Sequence, residues 1–159
     1  MKKIYIVLAN STSATFYSVS NKDRHLSLVK KLNHPEGLLK ESDLDSDKPG
    51  HYQKGNSSSG GSFVARVTHK ELKKKHFAKS ICQELEKNRV ANTIDNIIII
   101  TEPNFYGLIN QEASKHKHQS ISFHLPKDYT NYSEKNLKIA LAEILKYEIN
   151  MDFAAHLTA

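Results

Sequence analysis

The chain has 159 residues, of which 38% are hydrophobic and 25% charged, the proportions of one soluble globular domain with its own core. Its net charge of +6 and pI of about 9.3 favour an anionic partner, most commonly nucleic acid. No apolar run approaches the roughly 20 residues of a membrane span, and the first residues lack the pattern of a signal peptide.

The arginine and cysteine content limits the kinds of partner and site that are expected. The only arginines are Arg24, Arg66 and Arg89, so the positive charge is almost entirely lysine, which suits diffuse attraction to phosphates better than bidentate recognition of guanine. Sequence-specific DNA recognition is therefore not expected. The single cysteine, Cys82, cannot form an internal disulfide, which fits a cytoplasmic protein, and we expect a small core residue rather than a catalytic thiol.

Three strands separated by short turns are predicted at the start of the chain. Their apolar or alternating runs cover residues 4–9, 14–19 and 26–32. In the third run the alternation places Leu28 and Lys30 on one face and Val29 and Lys31 on the other. Short turns between consecutive strands predict an antiparallel meander.

A long segment without strand or helix pattern follows, from about residue 34 to residue 67. Its glycine- and serine-rich tip, Gly55–Ser62, buries little and lets the main chain approach another molecule closely. Loops of this length are uncommon in compact domains. Two interpretations stay open, a disordered insertion and a binding element.

Two groups of residues resemble metal ligands without completing a site. Asp43, Asp45 and Asp47 resemble the opening of a calcium loop, but Lys48 and Lys54 occupy the places of its glycine and its bidentate acid. A histidine group lacks the cysteines or carboxylates of a zinc site; it consists of His116, His118 and His124. We expect neither a metal nor a cofactor.

The strongest helix signal begins directly after the loop. Thr68 and Glu71 have the spacing of a capping box, which puts the helix start near His69. The expected core stripe consists of Leu72, Phe77, Ile81 and Leu85. The lysines of the same helix are expected to fall mostly off this stripe and to form one positive face; they are Lys73, Lys74, Lys75 and Lys79.

The second half of the chain alternates strands and helices. The unbroken apolar run Ile97–Ile100 predicts a strand covered on both faces and the best candidate for the sheet centre. The remaining predictions are a helix from Pro103 to near His116, a strand over 120–125, and a helix capped by Ser133. The predicted fold class is α/β, with a mixed five-stranded sheet of a three-stranded antiparallel meander plus two further strands, flanked by about three helices.

Five short segments, spread over nearly the whole chain, carry a family resemblance through their order and spacing. They are His34–Gly37, Ser46–Gly50, Phe77–Ala78, Pro103–Ile109 and Lys127–Thr130. Together they resemble the bacterial host attachment proteins. The family name implies a role in attachment to host cells, and hence a possible protein partner in host contact.

That family is similar in fold to the central domain of archaeal and eukaryotic peptide release factors. Gly60-Gly61-Ser62, with Arg66 leading into a lysine-rich helix, resembles the Gly-Gly-Gln tip and basic helix that release factors insert into the ribosome. Ser62 departs from the pattern, because it stands where glutamine orients the hydrolytic water. The resemblance implies one release-factor-like domain over residues 1–159, without a codon-reading partner domain.

These observations predict a non-catalytic cytoplasmic protein that binds rRNA, tRNA or the ribosome. The expected contact residues lie in the loop tip and the basic helix: Gly60, Gly61, Ser62, Arg66, Lys70, Lys73, Lys74, Lys75 and Lys79. Some aromatic residues outside the predicted core either pack within loops or stack on bases beside the lysines; they are Tyr52, Phe63, Tyr129 and Tyr132. The alternatives are an interaction protein for host attachment and, third, a peptidyl-tRNA hydrolase of the release or rescue type.

Overall fold

The computed structural model describes residues 3–20, 25–35, 68–91, 94–116 and 121–157, with side chains up to residue 146. The strands are β1 (Lys3–Ala9), β2 (Ser13–Ser20), β3 (Leu26–Asn33), β4 (Asn96–Ile100) and β5 (Ile121–Leu125). The helices are α1 (His69–Ala91), α2 (Pro103–Ala113) and α3 (Glu134–Leu157). Every predicted strand and helix is present, with α2 ending at Ala113 rather than near His116.

The strands form one mixed sheet in the order β3-β2-β1-β4-β5. β1, β2 and β3 pair antiparallel as the predicted meander, and β4 and β5 continue the sheet parallel to β1. The predicted fold class is therefore confirmed. The predicted sheet centre is not, because β1 occupies the middle position and β4 lies beside it. Both strands are unbroken apolar runs, so the sequence alone does not show which of the two is the central strand.

Alternating residues of β1 and β4 supply two separate cores. Tyr5, Val7 and Ile99 face α1 and α2, whereas Ile6 and Ile98 face α3. Both faces of the central strands are covered by helices, which explains why Ile4–Ala9 and Ile97–Ile100 contain no polar residue. The fold is thus three-layered, with α1 and α2 on one side of the sheet and α3 on the other.

A register shift in the outer strand β3 breaks its predicted alternation. Lys30 pairs with Phe16, but the next pair is Leu28 with Tyr17, so Val29 is an extra residue, as in a β-bulge. Lys30 consequently reaches the α1 side of the sheet. Its Nζ lies 2.8 Å from the nearly buried Glu84 carboxylate. Predicting Lys30 and Leu28 on one face was wrong, since an extra residue reverses the faces beyond it.

Capping interactions define where the helices begin. At α1 the Thr68 backbone N–H donates to Glu71 Oε2 (3.1 Å), and the Glu71 N–H donates to Thr68 Oγ1 (3.2 Å). This is the predicted capping box. At α3 the Asn136 N–H donates to Ser133 Oγ (3.3 Å), and at α2 Pro103 occupies the first turn. All three predicted helix starts are confirmed.

Candidate nucleic-acid interface

The sheet has one end at which β1, β3, β4 and β5 all finish; we call it the carboxyl end of the sheet. α2 begins directly after β4, so its N-terminus lies at this end. α1 runs parallel to α2, because Phe77 stacks on Phe105 while Cys82 Sγ approaches the carbonyl oxygen of Ile109 (3.5 Å) further along both helices. Both helix N-termini therefore point toward the carboxyl end, and each carries a partial positive charge.

The first two turns of α1 extend past the core. Its buried residues begin at Phe77, eight positions after the helix starts at His69. Leu72, predicted to be part of the core stripe, is 45% exposed. Successive helical residues are about 100° apart, so the five-residue step from Leu72 to Phe77 turns the side chain about 140° away. The prediction for Leu72 was wrong for this reason, and the predictions for Phe77, Ile81 and Leu85 are confirmed.

Four of the lysines surround these turns instead of forming one face, and Lys79 lies in the next turn. Lys79 is exposed, whereas the other four lysines, Lys70, Lys73, Lys74 and Lys75, are half-buried. Lys74 points in the same direction as the buried stripe, because Phe77 and Ala78 follow it by three and four residues. The expectation of a single positive face off the stripe was wrong. What forms instead is a positively charged helix end.

Two cavities flank this helix end. One lies between α1 and α2, has a volume of about 360 Å³, and is bordered by Lys74, Lys75, the acidic Glu71, and Asn104 from the first turn of α2. The other, of about 280 Å³, lies between α1 and the end of β3 and is bordered by Lys73 and His34. Lysines from one helix end thus reach into cavities on both of its sides.

An aromatic row anchors the helix end to the sheet. The His34 ring stacks on Phe77 at 4.8 Å between centroids, and Phe77 stacks on Phe105 at 5.9 Å. His34 is held in place by the Ser11 carbonyl oxygen, 2.7 Å from its Nδ1. The lysines are therefore presented from a fixed platform.

The other predicted contact residues lie outside the part of the chain that the structure describes. They are Gly60, Gly61, Ser62 and Arg66. The described chain leaves β3 through Pro35, next to His34 of the Lys73 cavity, and resumes at Thr68, directly before α1. The N-terminus of α2 and Asn104 were not among the predicted contact residues. The predicted order of strand then helix was the available signal, because a helix that directly follows a strand begins at the carboxyl end of that strand.

Cys82 and His124, which were considered as catalytic or metal-binding residues, are explained by packing and hydrogen bonding within the described ranges. Cys82 is buried in the core between α1 and α2, and burial raises the pKa of its thiol to about 12. Its place as a small core residue is confirmed. His124 stacks on Tyr106 at 3.7 Å, and its Nε2 lies 3.0 Å from the Thr101 carbonyl oxygen. Within the described ranges, no three metal-ligating side chains cluster; Asp43, Asp45, Asp47 and His118 fall outside those ranges.

The chain was compared with solved structures, with curated protein sequences and with models of protein families. Among solved structures, the chain is similar to the type II variant of a Ppx/GppA phosphatase from Aquifex aeolicus, with a TM-score of 0.39 and 9% identity. The similarity covers 78% of this chain and 35% of that one, so the chain spans about a third of the phosphatase's length. At this TM-score it supports no inference about activity. No curated protein sequence matches the chain.

The third comparison is with models of protein families. A model described as "protein required for attachment to host cells" matches residues 5–141. The matched range runs from β1 into α3 and includes α1, whose first turns carry the lysines described above. None of the helices in the described ranges is long and apolar enough to cross a membrane. The chain belongs to the family of proteins required for attachment to host cells, as the order and spacing of its five segments predicted.

Proposed function

We propose that the chain is a non-catalytic cytoplasmic protein that binds structured RNA, in rRNA, tRNA or the ribosome, through the N-terminal turns of α1. The observation that carries the proposal is the positively charged helix end at the carboxyl end of the sheet. It combines four lysines of the first two turns, Lys70, Lys73, Lys74 and Lys75, with two helix N-termini, all of which attract phosphates, against one acidic residue, Glu71. The excess of lysine over arginine suits recognition of a phosphate backbone rather than of base sequence.

The two cavities at the helix end fit this role. A folded RNA presents phosphates at several spacings and angles, and lysines arranged around a helix meet them from more than one direction. Lys74 and Lys75 border one cavity and Lys73 the other. Gly60-Gly61-Ser62, which resembles the release-factor tip, joins α1 within one short stretch of chain. Paired glycines next to a basic helix support close approach of the backbone to the same RNA.

Binding to ribosomes is the direct test of this proposal. The purified chain is sedimented with ribosomes at about 50 mM and about 200 mM salt, and with tRNA in a parallel filter-binding assay. We expect association at low salt that weakens steeply at the higher salt, because counterions compete for the phosphates. An absence of salt-sensitive association with either RNA would overturn the proposal.

The second candidate function is that of an interaction protein in host attachment, with a protein partner. The description of the family to which the chain belongs favours this candidate. A protein partner and an RNA partner give opposite results after nuclease treatment. If cross-linked partners from native cells survive ribonuclease digestion and ribosomal RNA is absent from them, the second candidate replaces the first.

We further expect that the chain does not hydrolyse peptidyl-tRNA. Hydrolysis requires a water held in line with the ester carbonyl and donors directed at the developing oxyanion. Ser62 retains a backbone N–H, but its side chain is too short to occupy the place of the glutamine. The measurement is release of labelled peptide from ribosome complexes by the wild type and by Ser62→Gln. Substantial release by the wild type contradicts the expectation, and release by the variant alone identifies the missing side chain as the cause.

A further inference from the structure

A separate pocket lies on the α3 side of the sheet, opposite the face covered by α1. Its volume is about 350 Å³. It is enclosed by the first turns of α3, by β2 and β3, and by the loop that joins β5 to α3. The floor is apolar and includes Leu8 and Leu137, which are nearly completely buried. The pocket is of the size class that accepts small molecules.

A pair of stacked tyrosines forms one wall. The rings of Tyr129 and Tyr132 lie 4.5 Å apart with 30° between their planes. The turn that carries them is fixed by hydrogen bonds: Asn10 Nδ2 donates to Thr130 Oγ1 (2.8 Å), and the Thr130 N–H donates to Asp128 Oδ1 (2.9 Å). Tyr132 is 46% exposed, so its ring has surface available for stacking. The wall is therefore already ordered for contact with a flat ring.

Two lysines and one glutamate also line the pocket. Lys31 enters the pocket from β3 because the extra residue at Val29 turns it to the α3 side. Lys138 enters from α3 and also borders a neighbouring cavity that contains Lys146. Glu134 is the acidic group of the pocket and lies 2.8 Å from Lys138. Glu134 is an exposed carboxylate that is ionised at neutral pH in any case and accepts hydrogen bonds; the hydrogen bond from Lys138 lowers its pKa further.

We propose that this pocket binds a single nucleotide, with its base stacked on Tyr132 and its phosphate between Lys31 and Lys138. Aromatic side chains beside lysines bind bases and phosphates together, and stacking tolerates any base. Glu134 accepts from a ribose hydroxyl or a base amino group. The nucleotide has two sources with the same chemistry, a free nucleoside monophosphate or an unpaired nucleotide of an RNA strand.

The inference is independent of the proposed RNA surface on α1, because the two sites lie on opposite sides of the sheet. Calorimetric titration of the full chain with AMP, adenosine, inorganic phosphate and a six-residue oligoadenylate tests it. A free nucleotide is indicated if AMP binds, and binds more tightly than adenosine or phosphate alone. An RNA strand is indicated if AMP does not bind, the oligonucleotide binds, and Tyr132→Ala weakens the oligonucleotide, because the oligonucleotide also has the proposed surface on α1 to bind. Binding of neither, binding of phosphate as tightly as AMP where AMP binds, or oligonucleotide binding that Tyr132→Ala leaves unchanged overturns the proposal.

Variants locate the site. Tyr132→Ala should weaken nucleotide binding by about 5- to 150-fold, the range for loss of one stacked base, whereas Tyr132→Phe keeps the ring and should change it less than about twofold. Lys31→Gln should weaken AMP but not adenosine. Lys135→Gln, on the same helix as Lys138 but outside the pocket, is the charge control. Equal affinity of Tyr132→Ala and the wild type would place the nucleotide elsewhere.

Discussion

Replacing Phe77 with alanine should lower the free energy of unfolding by about 3 to 5 kcal/mol, the usual cost of removing a buried phenylalanine. Phe77 is 5% exposed and is stacked between His34 and Phe105, so its loss opens a cavity and frees both neighbours. Each kcal/mol corresponds to about 2–4 °C in Tm for a chain of this size. Chemical denaturation monitored by circular dichroism measures the change.

Leu72→Ala is the matched control, because Leu72 lies in the same helix and was predicted from sequence to share its buried stripe. Leu72 is 45% exposed, and we expect a change within about 0.5 kcal/mol, as for other surface substitutions. Similar losses for the two variants would show that α1 is rotated relative to the sheet. An unchanged Tm in Phe77→Ala would contradict the aromatic row.

Replacing four lysines of α1 with glutamine should have the largest effect on RNA binding. Each lysine that contacts a phosphate contributes about one unit to the slope of log affinity against log salt. Loss of four contacts should reduce that slope by about 3 to 4 units, and affinity at 0.1 M salt by about 100- to 1,000-fold. The variant carries substitutions at Lys73, Lys74, Lys75 and Lys79. Sedimentation with ribosomes across a salt series measures both quantities.

A second variant with the same change in charge separates local contact from net charge. It carries glutamine at four lysines away from the helix end, namely Lys3, Lys87, Lys115 and Lys146. We expect its salt slope to stay within about one unit of the wild type, since exposed charges beyond about 10 Å are largely screened at this ionic strength. If the two variants lose affinity equally, the RNA contact is not at α1.

Periodicity and capping residues were sufficient to predict most of the fold. The unbroken run Ile97–Ile100 correctly indicated a strand covered on both faces, and Thr68 and Glu71 correctly marked the start of α1. Both signals are local, because they depend on residues within one turn or one strand. The position of a strand within the sheet depends instead on pairing with residues distant in sequence. For this reason β4 was wrongly predicted to be the central strand.

The candidate site was predictable in composition but not in arrangement. The lysines identified α1 as the basic element, yet they surround its first turns because the core begins only at Phe77. The sheet on which a helix packs decides how many of its residues extend past the core. The residue pattern of the helix does not give that number. The proposed nucleotide pocket was even harder to predict from the sequence. Tyr129 and Tyr132 were recognised as candidates for stacking, but Lys31 joins them only through the register shift in β3.

The extra residue at Val29 also affects how the molecule meets its own copies. β3 is one of the two edge strands of the sheet, and an edge strand with apolar side chains invites pairing with a strand of another molecule. Leu28 and Val29 are 56% and 37% exposed at this position. The bulge interrupts the regular row of backbone donors and acceptors that an incoming strand needs, and Lys31 directly after it adds a positive charge that repels a second copy. The same irregularity that turns a lysine into the pocket thus protects the open side of the sheet against aggregation.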